Sequence, residues 1–278
     1  MQNKTFLSKK FSAILRSAKK LVLYIGGAYV IACVAMTPGC VANSLMFYPP
    51  KASYSWDTHG ITRIAMPDGG ETAAVWLENP GSSKILVFFH GNAEDIGQSM
   101  GLFQALYSKG ISVLAVEYPG YGPSEGNPSE KNVYAAADAA FTFLTEDKNV
   151  APSNIVIMGR SVGSGPACYL AEKQSEAGGL ILQSGFTSAF RTVTRIRILP
   201  TDPFPNISRI GNIKCRKLFI HGAQDEVIPY NHAEKLFEKA NEPKTLVTVP
   251  DAGHNDLTRV MGFEQYVEVI SNFVKDES

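Results

Sequence analysis

Residues 154–166, NIVIMGRSVGSGP, decide the fold. The β-branched apolar run at their start predicts a buried strand, and a helical pattern begins at about residue 162. The junction carries Gly159-Arg160-Ser161-Val162-Gly163, a G-x-S-x-G motif in strand–turn–helix context. Glycine two places on either side of the serine permits the tight turn, and Gly165 is expected to let the helix approach the sheet. We therefore predict Ser161 as a nucleophile above the end of a strand.

The sequence around this motif alternates strands with helices. Most of the apolar runs are continuous, as in strands that are covered on both faces. A hairpin-type turn, residues 67–70, joins the first two of them. The predicted strands are 59–66, 72–78, 84–89, 112–117, 154–158, 179–183, 217–220 and 245–249, and the predicted helices lie near 93–108, 129–147, 162–176, 230–240 and 257–275. This pattern predicts one α/β domain with an eight-stranded, mostly parallel sheet, flanking helices and a small cap.

A serine hydroxyl is a weak nucleophile unless a base accepts its proton, and the chain has five histidines. His90 and His221 each end a predicted strand, upstream of any mobile loop. His59 begins a strand and His232 lies in a predicted amphipathic helix, so both are expected to be structural or to face solvent. His254 lies in the loop after the last strand and is the predicted general base.

The third residue of the site must orient the imidazole and stabilise its cation. Asp225 follows the seventh predicted strand and is the predicted acid. Glu226 is adjacent, whereas Asp251 and Asp256 flank the histidine and would have to fold back within one loop. The resulting chain order is Ser, Asp, His, which differs from the orders in chymotrypsin and subtilisin.

Two backbone N–H groups are needed to stabilise the oxyanion that forms when serine attacks a carbonyl group. The N–H of Val162, directly after the nucleophile, is one candidate. The loop after the third strand supplies the other, with Asn92 as the first choice and Ala93 as the next. Asn92 or Asp95 could also cap the helix that follows this loop.

Four motifs in the right order resemble the α/β-hydrolase serine hydrolases, over roughly residues 45–275. They are HGNAED (90–95), EYPGYGPS (117–124), GRSVGSGP (159–166) and HGAQDEVIP (221–229). The resemblance is strongest to the membrane-associated group that includes acyl-protein thioesterases (depalmitoylases) and bacterial relatives. It implies hydrolysis of small-molecule, lipid or acyl-protein esters or thioesters without a metal or a cofactor. Glu117 and Pro119 stand where this family commonly has Asp and Arg, so the ion pairing of that loop is expected to differ.

The N-terminus has the pattern of a targeting segment. Residues 1–20 carry six cations and no anion, and residues 21–36 carry no charge. A basic segment followed by a short apolar run is typical of a secretory signal. Cys33 follows a stretch that resembles a bacterial lipobox, and Cys40 is a weaker lipidation candidate. We predict a membrane-associated protein, either a bacterial cell-envelope lipoprotein or an N-terminal signal-anchor, with a plain cleaved signal as the remaining alternative.

The remaining sequence divides into a linker and docking segment, residues 41–56, and a hydrolase domain, residues 57–278. The short cap lies at about residues 185–214, too little for a full cap domain. Three of its arginines, Arg191, Arg195 and Arg197, lie close together and form either a solvated helix face or a contact for anionic groups. Six of the 26 cations lie in residues 1–20, so the rest of the chain has an excess of anions and no basic nucleic-acid-binding face is expected.

The sequence leaves three functional hypotheses. The first is a serine esterase or thioesterase that forms an acyl-enzyme on Ser161. The second is a serine peptidase of the aminopeptidase type on the same fold, which would need an acidic or aromatic anchor for the substrate amine. The third is a non-catalytic binding module. Cys168 and Cys215 lie among apolar residues, away from the G-x-S-x-G turn, and are expected to be buried thiols.

Overall fold

The computed structural model describes residues 46–194 and 202–276, together with the isolated positions Leu21, Tyr24 and Asn43. The rest of the predicted signal or anchor segment, including Cys33 and Cys40, lies outside the described residues, as do Arg195 and Arg197. Within the described part of the chain, every helix is too short or too polar to span a bilayer.

Eight strands form one sheet, as the apolar runs predicted. They are β1 (Ile61–Ala65), β2 (Glu71–Leu77), β3 (Ile85–Phe89), β4 (Ser112–Val116), β5 (Ile155–Arg160), β6 (Gly179–Gln183), β7 (Lys217–Gly222) and β8 (Lys244–Val249). Their order across the sheet is β1-β2-β4-β3-β5-β6-β7-β8, and only the β1–β2 and β2–β4 pairs are antiparallel. In the turn between β1 and β2, Gly69 adopts a φ of 86°, which is the reason for glycine at this position.

Helices cover both faces of the sheet. They are α1 (Met100–Ser108), α2 (Glu130–Thr142), α3 (Ser164–Lys173), α4 (Arg191–Thr194), α5 (Asn206–Arg209), α6 (Asn231–Lys239), α7 (Leu257–Met261) and α8 (Phe263–Lys275). A 3₁₀ turn, Ile96–Ser99, precedes α1, and a π-helical turn, Phe143–Asp147, follows α2. The single helix predicted over 257–275 is two helices, because Gly262 between them has a φ of 88° and cannot continue a helix.

The central strands are buried on both faces, which explains their uninterrupted apolar sequences. All residues of β3, β4 and β6 are buried, and β5 is buried as far as Gly159. The connections that follow β3 and β5 leave in opposite directions, since β4 lies beside β3 on one side and β6 beside β5 on the other. Loops after β3 and β5 therefore meet at a topological switch point, where open α/β sheets bind ligands.

Phe204 packs the cap segment against α3, and it changes the interpretation of Gly165. A Cβ at Gly165 would lie 2.2 Å from the Phe204 ring, so this glycine admits an aromatic side chain of the cap segment. The expectation that Gly165 lets the helix approach the sheet is therefore wrong. In the described part of the predicted cap, α4 and α5 are the only α-helices, each has four residues, and a 3₁₀ turn, Ile210–Asn212, follows α5.

Candidate active site

Ser161 stands at the end of β5 in a strained turn. Its φ is 52°, in the left-handed region that residues with a side chain rarely adopt. A Cβ at Gly159 would lie 2.3 Å from the carbonyl oxygen of Gly163, and a Cβ at Gly163 would lie 2.2 Å from that of Phe89. Both glycines are thus required by close backbone approaches, and the turn lifts the serine hydroxyl off the strand.

The structure brings Ser161, His254 and Asp225 into one hydrogen-bonded chain. The Nε2 atom of His254 lies 3.1 Å from Ser161 Oγ, and its Nδ1 atom lies 2.8 Å from Asp225 Oδ2. The Asp225 carboxylate can only accept from Nδ1–H, which leaves Nε2 free to accept the serine proton. These are the three residues that the sequence predicted, contributed by the loops after β5, β8 and β7.

Asp225 is buried in a site that favours its charged form. Burial opposes ionisation, but hydrogen bonds from His221, His254 and the N–H of Ile228 outweigh it and hold the pKa of Asp225 well below its ordinary value. Asp225 Oδ1 accepts the N–H groups of Val227 at 3.0 Å and of Ile228 at 2.7 Å. The carboxylate therefore stays ionised and can stabilise an imidazolium at His254.

The other acidic candidates have different partners. Asp256 accepts the N–H of Gly253 at 2.7 Å and pairs with Arg259, and Asp251 is exposed. Glu226 accepts the backbone N–H of His254 at 3.3 Å. Asp256 and Glu226 thus hold the loop that carries the histidine, while Asp225 alone of the four bonds to its ring.

The loop after β3 lies beside the nucleophile. A Cβ at Gly91 would be 3.6 Å from Ser161 Cβ. The N–H of Ala93 donates to Asn92 Oδ1, whereas the N–H of Asn92 has no acceptor among the described residues. The N–H of Asn92 is therefore a better candidate than that of Ala93 for an oxyanion donor. Val162, the other candidate donor, follows Ser161 in the 3₁₀ turn before α3.

The side chain of Asn92 has a role that the sequence did not indicate. Its Nδ2 donates to the carbonyl of Met46 at 2.7 Å, and its Oδ1 accepts the N–H of Tyr48 at 2.9 Å and the hydroxyl of Tyr121 at 2.7 Å. It therefore fastens the loop after β3 to the segment 46–56 and does not cap a helix. Asp95 does cap the following 3₁₀ turn, through the N–H of Gln98, as one alternative predicted.

An ion pair between Glu94 and Arg160 joins this loop to the nucleophile turn. Arg160 Nη1 donates to Glu94 Oε2 at 2.8 Å, and the other Glu94 oxygen accepts the N–H of Gly91. Both residues stand in the quoted motifs, but the sequence did not predict their pairing. They are 66 positions apart, and the residues next to each of them do not indicate its partner.

His90 and Glu117 form a second, fully buried ion pair below the same loop. His90 Nε2 lies 2.7 Å from Glu117 Oε1, and the ring stacks on Tyr118 with centroids 4.0 Å apart. The ion pairing of the EYPGYGPS loop therefore involves a histidine of the preceding motif. His90 Nδ1 lies 2.7 Å from the carbonyl oxygen of Gly91.

His221 Nε2 lies 3.4 Å from Asp225 Oδ2, whereas His232 and the two thiols have no hydrogen bond to the Ser–His–Asp chain among the described residues. His232 is buried, and burial together with Lys235 lowers its pKa to about 4. Its Nδ1 accepts the N–H of Thr187 at 3.1 Å, so it is structural, and it does not face solvent. Burial raises the pKa of the Cys168 thiol well above its ordinary value, and Cys215 is only half-buried, with a pKa raised to about 11.

A separate cleft of about 620 Å³ lies between the cap segment and α6. Its lining includes Thr187, Arg191, His232 and Lys235, and no residue of the Ser–His–Asp chain. Arg191 does not belong to a solvated helix face, because its Nε donates to Asp202 Oδ2 at 2.8 Å.

Comparison with protein families gives one partial match. A family model described as serine aminopeptidase S33 matches residues 81–199. The matched region contains Ser161 and the loop after β3, but it ends before Asp225 and His254.

Comparison with individual proteins gives matches over most of the chain. Alpha/beta hydrolase domain-containing protein 17B of Homo sapiens is 32% identical, over 88% of this chain and 94% of that protein. Alpha/beta hydrolase domain-containing protein 17C of Mus musculus is 37% identical, over 71% of this chain and 62% of that protein.

Solved structures share the fold at low sequence identity. An esterase of Pyrococcus furiosus superposes with a TM-score of 0.69 and 19% identity, over 83% of this chain and 98% of the esterase. A puromycin-hydrolysing peptidase of Mycobacterium tuberculosis superposes with a TM-score of 0.62 and 17% identity, over 77% of this chain and 38% of the peptidase. At these identities the likeness shows the α/β-hydrolase fold alone.

Proposed function

The chain belongs to the family of alpha/beta hydrolase domain-containing protein 17, and we propose that it is a serine hydrolase which cleaves carboxylic esters or acyl-thioesters through an acyl-enzyme on Ser161. The observation that carries this proposal is the hydrogen-bonded chain from Ser161 through His254 to Asp225. A nucleophile, a base within reach of its proton and an ionised group behind the base are what acyl transfer requires.

In the proposed acylation step, Ser161 Oγ attacks the acyl carbon while its proton passes to His254 Nε2. The carbonyl oxygen becomes an anion that accepts the N–H groups of Val162 and Asn92, and each such donor lowers the barrier by about 3 kcal/mol. His254 then gives the proton to the departing alcohol or thiol. In the second step water attacks the acyl carbon while His254 accepts its proton. His254 then returns this proton to Ser161 Oγ as the bond between Oγ and the acyl group breaks, and the carboxylic acid leaves.

The test is labelling with a fluorophosphonate, followed by a panel of p-nitrophenyl esters and acyl-thioesters of graded chain length. We expect wild type to be labelled and to hydrolyse esters, and we expect Ser161→Ala to do neither. Ser108→Ala, which changes an exposed serine on α1, is the matched control and should behave as wild type. A wild-type protein that takes no label and turns over no ester would support the binding-module hypothesis.

Peptidase activity is the second candidate, because the family model that matches residues 81–199 is described as a serine aminopeptidase. A substrate amine would need a free carboxylate near the nucleophile. Glu94 is the acid beside Gly91, but it is paired with Arg160, and Glu226 accepts the N–H of His254. Both contacts weaken the case for an amine anchor. Faster cleavage of aminoacyl amides than of p-nitrophenyl butyrate would establish the peptidase instead.

We further propose that the enzyme works at a membrane surface, held there by residues 1–40. The six cations of residues 1–20 and the uncharged residues 21–36 support this, as does the lipobox-like stretch before Cys33. The short cap is compatible with large or membrane-borne acyl substrates. Cys40 is the second candidate for lipidation.

A further inference from the structure

The His90 ring has an acceptor at each nitrogen. Nδ1 lies 2.7 Å from the carbonyl oxygen of Gly91, which can only accept, so Nδ1 carries a proton. Nε2 lies 2.7 Å from Glu117 Oε1, slightly outside hydrogen-bond geometry but at ion-pair distance. A bare nitrogen lone pair facing a carboxylate oxygen at this distance would be repelled, so Nε2 carries a proton as well. The ring is then an imidazolium.

Three hydrogen-bond donors besides His90 surround the carboxyl group of Glu117. Its Oε2 accepts the Tyr54 hydroxyl at 2.8 Å and the N–H of Ile96 at 3.2 Å, and its Oε1 accepts the N–H of Tyr118 at 3.2 Å. Glu117 is thus the carboxylate partner that a buried imidazolium requires.

The Gly91 carbonyl belongs to the same peptide unit as the N–H of Asn92. This peptide is trans, because the one cis bond in the described residues is Glu242–Pro243. In a trans peptide the C=O and the N–H point in opposite directions, so a donor bound to the oxygen fixes where the hydrogen points. Donation to the oxygen also polarises the peptide and strengthens its N–H as a donor.

We propose that His90 is a positioning residue: its imidazolium donates to the Gly91 carbonyl and thereby holds the Asn92 N–H as an oxyanion donor beside Ser161. The inference deepens the proposed function and rests on it. Two observations support the direction of the N–H: Gly91 is next to Ser161, and the Asn92 N–H has no acceptor among the described residues.

The charged and titratable groups around the ring maintain its charge. Burial opposes the imidazolium, but Glu117, Glu94 and the Gly91 carbonyl outweigh burial and raise the pKa of His90 above its ordinary value. Tyr118 and Tyr121 pack on the ring, and burial raises the pKa of both hydroxyls, so they stay neutral. We therefore expect His90 to remain protonated over the working range of the enzyme.

Two substitutions separate orientation from packing. The amide of His90→Asn can donate near the position of Nδ1, whereas that of His90→Gln reaches toward the position of Nε2 and Glu117. We expect His90→Gln to lower kcat about 100-fold with KM changed less than about 2-fold, and His90→Asn to lower kcat less than about 10-fold. Binding of a trifluoromethyl ketone, which adds to Ser161 as an oxyanion, should weaken by the same factors as kcat/KM.

A merely structural role for His90 makes a different prediction. The two variants would then lose similar thermal stability and similar activity, and ketone binding would not follow kcat/KM. Equal loss of kcat in His90→Asn and His90→Gln would overturn the proposal.

The protonation state is read directly by ¹⁵N NMR on histidine-labelled full-length protein carrying Ser161→Ala. We expect one ring with both nitrogens protonated from about pH 6 to about pH 9, and loss of that signal in His90→Asn.

A neutral His90 ring in an enzyme that hydrolyses esters would overturn this inference and leave the proposed function standing. A wild type without ester or thioester turnover would overturn the proposed function, and the NMR result does not depend on turnover.

Discussion

Ser161 stands in a backbone conformation that is unfavourable for a residue with a side chain. A φ of 52° at such a position costs about 1–3 kcal/mol, and the close approaches of Gly159 and Gly163 hold it in place. The strained turn presents the hydroxyl at 3.1 Å from His254 Nε2. At the scale of single residues, the site is a set of side chains held in place by specific neighbours, and its predictions concern individual substitutions.

We expect Ser161→Ala and His254→Ala each to lower kcat about 1000-fold or more, and the double variant to be scarcely worse than either. The reason is that each proton that His254 accepts or donates belongs to a step on Ser161, so neither residue works without the other. Asp225→Asn should also be severely impaired, because an amide in that place can donate to Nδ1 and select the wrong tautomer.

Steady-state kinetics with a p-nitrophenyl ester measures all four variants, and His59→Ala, an exposed histidine, is the control. Additive losses in the double variant would mean that Ser161 and His254 do not act as a unit. Full activity of Asp225→Asn together with an inactive Asp251→Asn would move the acid role to Asp251.

The free energy of unfolding should depend on His232 at mildly acidic pH. Its pKa is about 4 in the folded protein and about 6.5 when exposed, so the unfolded chain binds a proton first as the pH falls. The stability that the neutral ring provides is complete above about pH 6.5 and is lost progressively toward pH 4. The expected loss is about 2 kcal/mol between about pH 8 and about pH 5.

Urea unfolding at these two pH values tests this dependence. His232→Asn keeps an acceptor for the N–H of Thr187 but has no titrating ring, so its loss should be smaller than that of wild type by about 2 kcal/mol. The pKa of His90 is raised, so its contribution to the pH dependence of the free energy of unfolding has the opposite sign. This contribution is the same in both proteins and cancels when they are compared. His59→Asn is the control, and an equal pH dependence in His232→Asn and wild type would refute the assignment.

At the scale of elements, the segment 46–56 is part of the site although it precedes the sheet. Met46 and Phe47 are buried, and the Phe47 ring meets Phe204 edge-on at 6.1 Å. Ser53 donates to Asp95 through both its backbone N–H and its hydroxyl. Together with the contacts of Asn92, these interactions fasten the segment to the loop after β3.

We expect a chain that begins at Ser44 to be fully active on short soluble esters, and a chain that begins at Asp57 to be unstable and nearly inactive. Removal of the buried Met46 and Phe47 side chains should lower the free energy of unfolding by about 3–6 kcal/mol. Urea unfolding and ester turnover measure the two effects.

Point substitutions supply the matched pair for this test. Phe47→Ala should destabilise by about 3–5 kcal/mol, since its ring is buried. Tyr48→Ala should change stability by less than about 0.5 kcal/mol, because its ring is 53% exposed and its backbone N–H remains to bond Asn92. Equal effects of the two would show that the segment does not dock through Phe47.

At the scale of the whole molecule, the catalytic body would be held near its substrate by its N-terminus. The body carries an excess of anions, whereas residues 1–20 carry only cations, so electrostatic attraction to an anionic surface is confined to the terminus. The docking segment begins at Met46 and contacts the loop after β3.

We expect the full-length protein to partition with membranes and to incorporate a fatty-acid analogue at Cys33 or, failing that, at Cys40. Two acyl chains on a processed N-terminal cysteine give stable binding where one chain does not. Metabolic labelling of Cys33→Ser, Cys40→Ser and the double variant measures this, with Cys168→Ser as the control for a buried thiol.

Labelling that survives the loss of both cysteines would rule out the lipoprotein form. Membrane partitioning without any labelling would indicate an uncleaved anchor. A freely soluble full-length protein would remove the tether altogether.

The sequence alone predicts those features that depend on residues close together in the chain. Most of the eight strands are runs of apolar residues, as burial on both faces requires of β3, β4 and β6, and Ser161 lies in a turn whose glycines are close neighbours. Asp225 and His254 were found because each follows a strand, and the carboxyl ends of parallel strands meet at one edge of a sheet. The break at Gly262 was missed, since apolar periodicity continues through it on both sides.

The contacts that only the tertiary structure decided join residues that are far apart in the chain. Arg160 pairs with Glu94 across 66 positions, and Asn92 binds Met46 across 46. The ion pair of His90 with Glu117 and the contact of Gly165 with Phe204 are of the same kind. The residues next to a charged or amide side chain do not indicate its partner, because the pairing depends on which loops the folded sheet brings together.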